Sequence, residues 1–333
     1  MNSFGEFFRI SLFGESHGKG IGVVIDGCPA GLSLNKKDFS KDLERRKGGK
    51  KGTSPRRESD IPLIKSGIFN HKTTGAPISI LFENENIQPR DYLSFGAIPR
   101  PGHADFVAFH KFGGFQDPRG GGHFSGRLTI ALVAAGVIAK KLIAPAKVKA
   151  RILEIGGLTD IERTIDLAIK KNDSVGGLIE CHVQNLPTGL GEPFFDPVES
   201  LISHLVFAIP GIKGIEFGSG FACSRMKGST CNDILINKNG RTRTNHAGGI
   251  NGGITNGNEV IFRVAVKPTP SIKKEQETVN LRTGKKERIV IKGRHDVCFA
   301  LRIPVIIEAT AAVVFADLLL RSQAIPRIWG EEK

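Results

Sequence analysis

FFRISLFGESHGKGIGVVIDG, Phe7–Gly27, places a crowded polar turn between two apolar stretches. FFRISL before the turn and GVVIDG after it both read as strands. Ile21, Val23 and Ile25 alternate with smaller or polar neighbours, which is the period of a half-buried strand. Between them FGESHGKG, Phe13–Gly20, sets Glu15, Ser16 and His17 side by side among three glycines. The second strand disposes of one motif: GESHG matches the GxSxG of a nucleophile elbow, but an elbow needs a helix after the serine and here a strand follows. Two readings of the turn remain: a solvated histidine in a loop, or a place where backbone comes close to a ligand.

Outward from this stretch the chain changes period several times. SLNKKDFSKDLERRK reads as a helix, with Asn35 able to cap it, Asp38 three residues on, and Phe39 and Leu43 on one face. KGGKKGTSPRRESD follows as a glycine-rich basic loop, too polar to pack and expected to be mobile until a ligand binds. APISILFEN is a strand. Residues 86–127 then form a long, weakly periodic stretch; a loop of this length is functional or disordered, and its glycines, prolines, phenylalanines and histidines favour function. From Ser125 through Lys141 the pattern is an apolar helix. LIECHVQNLP is a strand with Ile179, Cys181 and Val183 on one face, and PVESLISHLVFAIPG is an amphipathic helix. Asn239–Gly240 in DILINKNGRTR signals a hairpin. NEVIFRVAVKP and ERIVIKG are strands, and a buried helix runs from about Ile303 to Arg321. Irregular alternation with hairpins indicates α+β rather than a doubly wound parallel sheet. With no linker visible, a single domain over 1–333 is expected. A Gly-Arg ahead of a long apolar helix occurs at Gly126-Arg127 and at Gly293-Arg294, an echo compatible with a duplicated unit.

The totals narrow the class. The chain has 333 residues, 40% hydrophobic and 24% charged, as in a globular protein with a sizeable core. MNSFGEFFRIS lacks a basic start followed by an apolar stretch, so no secretory leader is expected. The apolar runs Leu128–Ala139 and Ile303–Leu320 are short or broken by Glu308 and Asp317, and no membrane span is expected. Five cysteines without CxxC spacing argue against a disulfide framework or a zinc site and for a cytoplasmic setting. The net charge of +14 implies anionic partners. Ten basic residues against three acids lie between Lys36 and Arg57. That is compatible with a nucleic-acid footprint, although Phe39 is its sole aromatic residue and a stacking platform is not evident.

Four segments are too polar and glycine-rich for packing: GESHG with Ser16 and His17; RPGHAD with Arg100, His103 and Asp105; RGGGHFSGR with Ser125 and Arg127 opening a helix; and KGRHD with Arg294, His295 and Asp296. NHAGGINGG at 245–253 and KPTPS at 267–271 could wrap a phosphate or a ring with backbone N–H groups. His17, His103 and Asp296 could move protons near neutral pH. Arg46, Arg100, Arg127 and Arg294 could clamp phosphate and carboxylate. No Walker or Rossmann glycine pattern and no HExxH spacing occurs.

Taken in order, GESHGKGIGVVIDGCPAG, RPGHAD, RGGGxxSGR, NHAGGIxGGI, KPTxS and GRHD resemble the chorismate synthases, from about Phe8 to Leu320. The resemblance implies conversion of 5-enolpyruvylshikimate 3-phosphate to chorismate, a 1,4-elimination of the 3-phosphate and a C6 hydrogen that depends on reduced FMN. It implies a β-α-β sandwich with helices between antiparallel sheets, and a homotetramer. The charge then has a reason without nucleic acid: the substrate carries two carboxylates and a phosphate, FMN adds another phosphate, and grouping them needs several cations. Residue by residue, the resemblance puts His17 near the leaving phosphate as an imidazolium, His103 beside flavin N1 as a donor, and Asp296 near N5. It puts Ser16, Arg46, Arg100, Arg127 and Arg294 on the substrate side. Ser125, Asn245, Gly252, Lys267, Pro268, Thr269, Pro270 and Ser271 would hold FMN, with Pro210, Gly211 and Arg294. His123 and Phe124 stand where the family has an arginine and a serine, and Phe124 would pack on the ring. After Arg46 the usual Arg-Pro-Gly is Lys-Gly-Gly, with Lys50 and Lys51 as possible substitutes for a missing arginine. Glu15 either orients His17 or caps the turn.

Two other readings make different predictions. A nucleic-acid-binding protein using Lys36–Arg57 predicts steeply salt-dependent duplex binding, and a metal hydrolase using the histidines predicts sensitivity to chelators. NADPH is expected as an external reductant only, since no separate nicotinamide fold is visible.

Overall fold

Alternation at period two carries Ile21, Val23 and Ile25 to one face of the strand Gly20–Asp26, and all three are fully buried. This strand pairs antiparallel with Arg9–Gly14 on one side and Ile78–Glu83 on the other, so that Val23 faces both Leu12 and Ile80. Ser3–Phe4 and Leu63–Ile64 complete a five-stranded sheet at its edges. The second sheet has four antiparallel strands in the spatial order Ile212–Phe217, Val260–Val266, Gly177–Gln184, Lys147–Ile155. Ile179, Cys181 and Val183 are buried as their alternation predicts, opposite Val264, Phe262 and Val260. The computed structural model describes residues 2–87 and 97–325.

Two apolar helices fill the space between the sheets. Thr129–Leu142 lies against the first sheet, Ile303–Arg321 lies against the second, and the two pack on each other. The expected β-α-β sandwich is therefore the fold. The helices come very close at Gly136, where a Cβ would stand 2.2 Å from the Cβ of Ala309; only glycine permits that approach. The stretch Phe299–Arg321 is long and apolar enough to cross a membrane by composition, but 89% of its apolar window is buried in this inner layer.

The two acids that interrupt this helix tie it in place. Glu308 is buried and accepts from Arg45 at 2.7 Å twice, from Lys140 at 2.9 Å and from the Ala150 N–H at 3.1 Å. It thereby joins the helix Lys36–Arg46, both inner helices and the second sheet. Asp317 accepts from the backbone N–H groups of Glu6, Phe7 and Phe8 at 2.6–3.1 Å, fixing the turn before the strand Arg9–Gly14. Asp317→Ala strands those donors in a largely buried corner and is expected to cost about 2–4 kcal/mol. Denaturant unfolding reads this as a lower midpoint at an unchanged slope; an unchanged midpoint would show that the carboxylate is dispensable.

The helix Lys36–Arg46 opens with the expected box: Asn35 accepts from the Lys37 N–H at 2.9 Å, and Asp38 accepts from the Asn35 N–H at 2.8 Å. Three expectations change. Residues 86–127 are not one loop: a helix spans Asp105–Phe112 and a 3-10 segment Arg119–Phe124, while 88–96 lie outside the described residues. That helix has no side-chain cap, and Phe106, Phe109 and Phe112 point outward, so its apolar spacing does not mark a core face. The Asn239–Gly240 turn forms, but only a single bridge, Leu235 to Thr242, closes it, because the flanking apolar residues Ile234, Leu235 and Ile236 are exposed and have no sheet to join. ERIVIKG yields only the short strand Lys286–Ile289.

Candidate active site

A cavity of about 1070 Å³ opens where the ends of both sheets, the helix starts and the polar turns converge. Eleven lysines and arginines line it against four acids, so the charge of the chain is concentrated here. The volume exceeds the roughly 300–1,000 Å³ typical of a site for one small ligand.

The turn that follows the strand Arg9–Gly14 forms one wall. Asn84 donates to the carbonyls of Glu15 and Gly18 at 3.0 and 2.9 Å, and the Ser16 N–H donates to Gly122 O at 3.1 Å. Glu15 thus serves the turn through its backbone carbonyl. Arg56 donates to Ser16 Oγ at 3.1 Å and Ser16 O at 3.0 Å, with Glu58 behind it at 2.6 Å. His17 is 3% exposed, and its ring lies so close to Gly120 (φ +58°) that a Cβ there would be 2.3 Å from Nδ1. Burial, then the charges of Arg56, Arg119 and Arg294, outweigh Asp117 and lower the His17 pKa to about 4. As folded, His17 is neutral at pH 7, not the imidazolium that the resemblance implies.

His103 is anchored differently. Its Nδ1 lies 2.6 Å from Asp105 Oδ1, and Arg100 grips the same carboxylate through Nε and Nη2 at 2.7 and 2.8 Å. Arg100 also donates to Ser271 Oγ at 3.2 Å, tying RPGHAD to KPTPS. Arg100 is therefore an organiser of the wall. Burial lowers the His103 pKa, while the Asp105 hydrogen bond works the other way. The neutral ring donates from Nδ1 to Asp105, so Nε2 is an acceptor and becomes a donor only on protonation.

Asp296 Oδ1 accepts from the Ser54 N–H at 2.7 Å and from Arg302 at 3.3 Å, and Oδ2 accepts only from Arg302 at 3.2 Å. Ser54 Oγ donates to Arg294 O at 3.1 Å, and Arg294 reaches Asn86 Oδ1 at 2.9 Å. The basic loop is thus packed, not free: it runs across the cleft with Ser54 and Asp60 buried. Arg46, at the end of the preceding helix, is 2% exposed and Arg56 is half-buried, whereas Lys50, Lys51 and Arg57 of the loop stay exposed. Lys50 lines the cleft, whereas Lys51 turns away to Asp166 at 2.6 Å and cannot replace the missing arginine.

Of the positions expected to hold a cofactor, His123, Phe124, Ser125, Pro210, Gly211, Lys267, Pro268, Thr269, Pro270, Ser271 and Arg294 line the same cavity. Ser125 Oγ accepts from the Arg127 N–H at 3.2 Å, and Lys267 Nζ donates to Gly102 O at 2.6 Å. His123 is held by Gly14 O at 2.9 Å and Asn2 at 3.0 Å, and Phe124 is 37% exposed beside Phe112. Asn245 and Gly252 are not among the lining residues. Asn245 braces its own turn, donating to Glu259 O at 2.8 Å and accepting from the Gly249 N–H at 2.7 Å. Arg56, Asp60 and Arg302 were missed. They sit in RRESD and ahead of the last helix, and the only signal was two acids inside an otherwise basic run. Among the described residues no three His, Cys, Asp or Glu side chains converge so as to hold a metal ion.

The arrangement can hold a multiply charged anion, move protons at His17 and Asp296, and seat a ring against Phe124, Phe207 and Phe299. A family model described as chorismate synthase matches residues 8–320. A chorismate synthase of Chitinophaga pinensis is 61% identical over 330 residues, covering 99% of both chains. One from Dehalococcoides mccartyi is 46% identical and covers 98% of this chain and 99% of its own. A crystal structure of chorismate synthase matches with a TM-score of 0.73 at 26% identity, covering 96% of this chain and 93% of that one.

Proposed function

The chain belongs to the chorismate synthase family, and from that premise we propose that its basic cleft is where 5-enolpyruvylshikimate 3-phosphate loses its phosphate. The enzyme is a carbon–oxygen lyase that gives chorismate, the last common step of the shikimate route to aromatic amino acids. The observation that carries the assignment to this cleft is the meeting of His17, Asp296 and the arginines on one cavity wall.

The residues present fit reduced FMN. Thr269 Oγ1 is buried there without a partner among the described residues, and phenylalanines offer an apolar face. Lys267 to Ser271, Ser125 and Phe124 would hold it. When bound, reduced FMN supplies the transferable electron density that expels phosphate, which no side chain here can provide. Arg294 and His17 receive the phosphate: the dianion offsets the field that keeps His17 neutral, so the imidazole takes a proton as the anion seats. Asp296 accepts the departing proton at Oδ2, the oxygen with the lighter hydrogen-bond load. His103 holds its proton on Nδ1 toward Asp105. NADPH enters as an external reductant. The exposure of Phe194, Phe195, Phe221 and Leu235 (67–92%) supports assembly into a homotetramer, and the unpaired cysteines support a cytoplasmic setting.

The protein with reduced FMN under anaerobic conditions is expected to release phosphate and chorismate in equal amounts, whereas oxidised FMN with NADPH and no reductase gives neither. Folded protein that makes no chorismate in the first arm overturns the proposal.

A further inference from the structure

We infer that Asp60 is the positioning residue of a preassembled carboxylate seat: it sets Arg46 and Arg127 to receive a carboxylate of the substrate rather than its phosphate. The inference rests on the reading of the cleft as the substrate site. Arg46 donates from Nη2 to Asp60 Oδ2 at 2.6 Å, and Arg127 donates from Nη1 to Asp60 Oδ1. The three side chains are 2%, 6% and 1% exposed. Arg127 is held from the other side by Asn84 Oδ1 at 3.2 Å. Yet Arg46 Nε and Nη1 and Arg127 Nη2 are buried at the cleft wall with no hydrogen-bond partner among the described residues. Unmet donors on buried charges are costly, and stability alone does not explain them. Asp60 itself sits at φ +54°, a left-handed conformation that aspartate and asparagine adopt more readily than most side chains.

Charge decides which anion fits. Two guanidinium groups and one carboxylate leave the seat at +1. A carboxylate brings it to zero, while a phosphate dianion would leave a buried excess of negative charge. Around His17 the balance is different. Arg56 and Arg119 are matched by Glu58 and Asp117, whereas Arg294 pairs with no acid among the described residues and donates to Asn86, and His17 beside it can gain a proton. Arg294 and a protonated His17 together match a dianion. Asp60 thus gives the Arg46–Arg127 pair the charge that suits a carboxylate, while Arg294 and His17 suit a phosphate.

The test uses shikimate as a carboxylate-only probe and inorganic phosphate as a phosphate-only probe, each titrated calorimetrically into the full chain. Asp60→Asn keeps the shape and tolerates the left-handed backbone. Its shikimate Kd is expected to rise about 10-fold or more while its phosphate Kd does not rise, because the pair left at +2 still accepts a dianion, and KM for the full substrate rises with kcat little changed. A merely structural role moves both probes together, and that result, or no change in either, overturns the inference while leaving the cleft assignment intact. Wild-type protein that binds neither probe overturns both. If thermal melting shows that Asp60→Asn does not fold, Arg127→Lys keeps the charge and removes the unmatched donor. The same one-sided loss supports the seat, and equal losses for the two probes refute it.

Discussion

Replacing His17 by alanine is expected to slow phosphate release by about 10²-fold or more, the usual contribution of a positioned proton-transfer group. The ring is buried against Gly120 and neutral at pH 7, because burial and the surrounding arginines bring its pKa to about 4. A bound phosphate dianion reverses that field. Substrate binding near pH 6 should therefore draw a proton from the buffer, and the measured enthalpy should vary with the buffer's ionisation heat. His17→Ala removes that dependence. The sign for stability follows from the same shift. Between about pH 6.5, where an exposed imidazole titrates, and about 4, the unfolded chain binds the proton and the folded one does not. The penalty is absent above that window and grows as pH falls through it, so His17→Ala should resist acid better than the wild type. Near-normal turnover of the variant, or buffer-independent heats in the wild type, would remove the role.

Asp296→Ala should lose a comparable factor, about 10²-fold or more, but at a different step. Its carboxylate is aimed by the Ser54 N–H and by Arg302, both from outside the GRHD motif. With Asp296 gone, removal of the C6 hydrogen becomes limiting. A substrate deuterated at C6 should then show a larger isotope effect than with wild type, while phosphate affinity is retained. An unchanged isotope effect together with normal turnover would exclude Asp296 as the acceptor.

Which features could be read in advance follows from how local their causes are. Ile21, Val23 and Ile25, or Ile179, Cys181 and Val183, announce themselves because a strand buries every second residue whatever lies elsewhere. Asn35 and Asp38 cap a helix within a single turn of chain. The motifs around His17, His103, Arg127 and Asp296 were legible because glycine beside a polar side chain has few packing uses. Asp60 was not, since its meaning comes from Arg127, 67 positions away. Arg302 looks like a helix-start residue until the fold brings Asp296 against it. The neutrality of His17 is likewise a property of assembled charges. The helix Asp105–Phe112 escaped notice because it is only eight residues long and has no side-chain cap, so nothing local marks its start.

The bonds from Asp317 to Glu6, Phe7 and Phe8 join segments more than three hundred residues apart. On a ribosome this imposes an order of events. The strands through Glu83 emerge well before the helix from Ile303 onward that completes the interior. At ordinary elongation speeds of about 5–20 residues per second, that interval lasts roughly 10 to 40 s. During it the first sheet has only the helix Thr129–Leu142 and the capped helix Lys36–Arg46 to shelter it. The second sheet, lacking its own inner helix, has an apolar face that stays open to chaperones or to neighbouring nascent chains until that helix emerges.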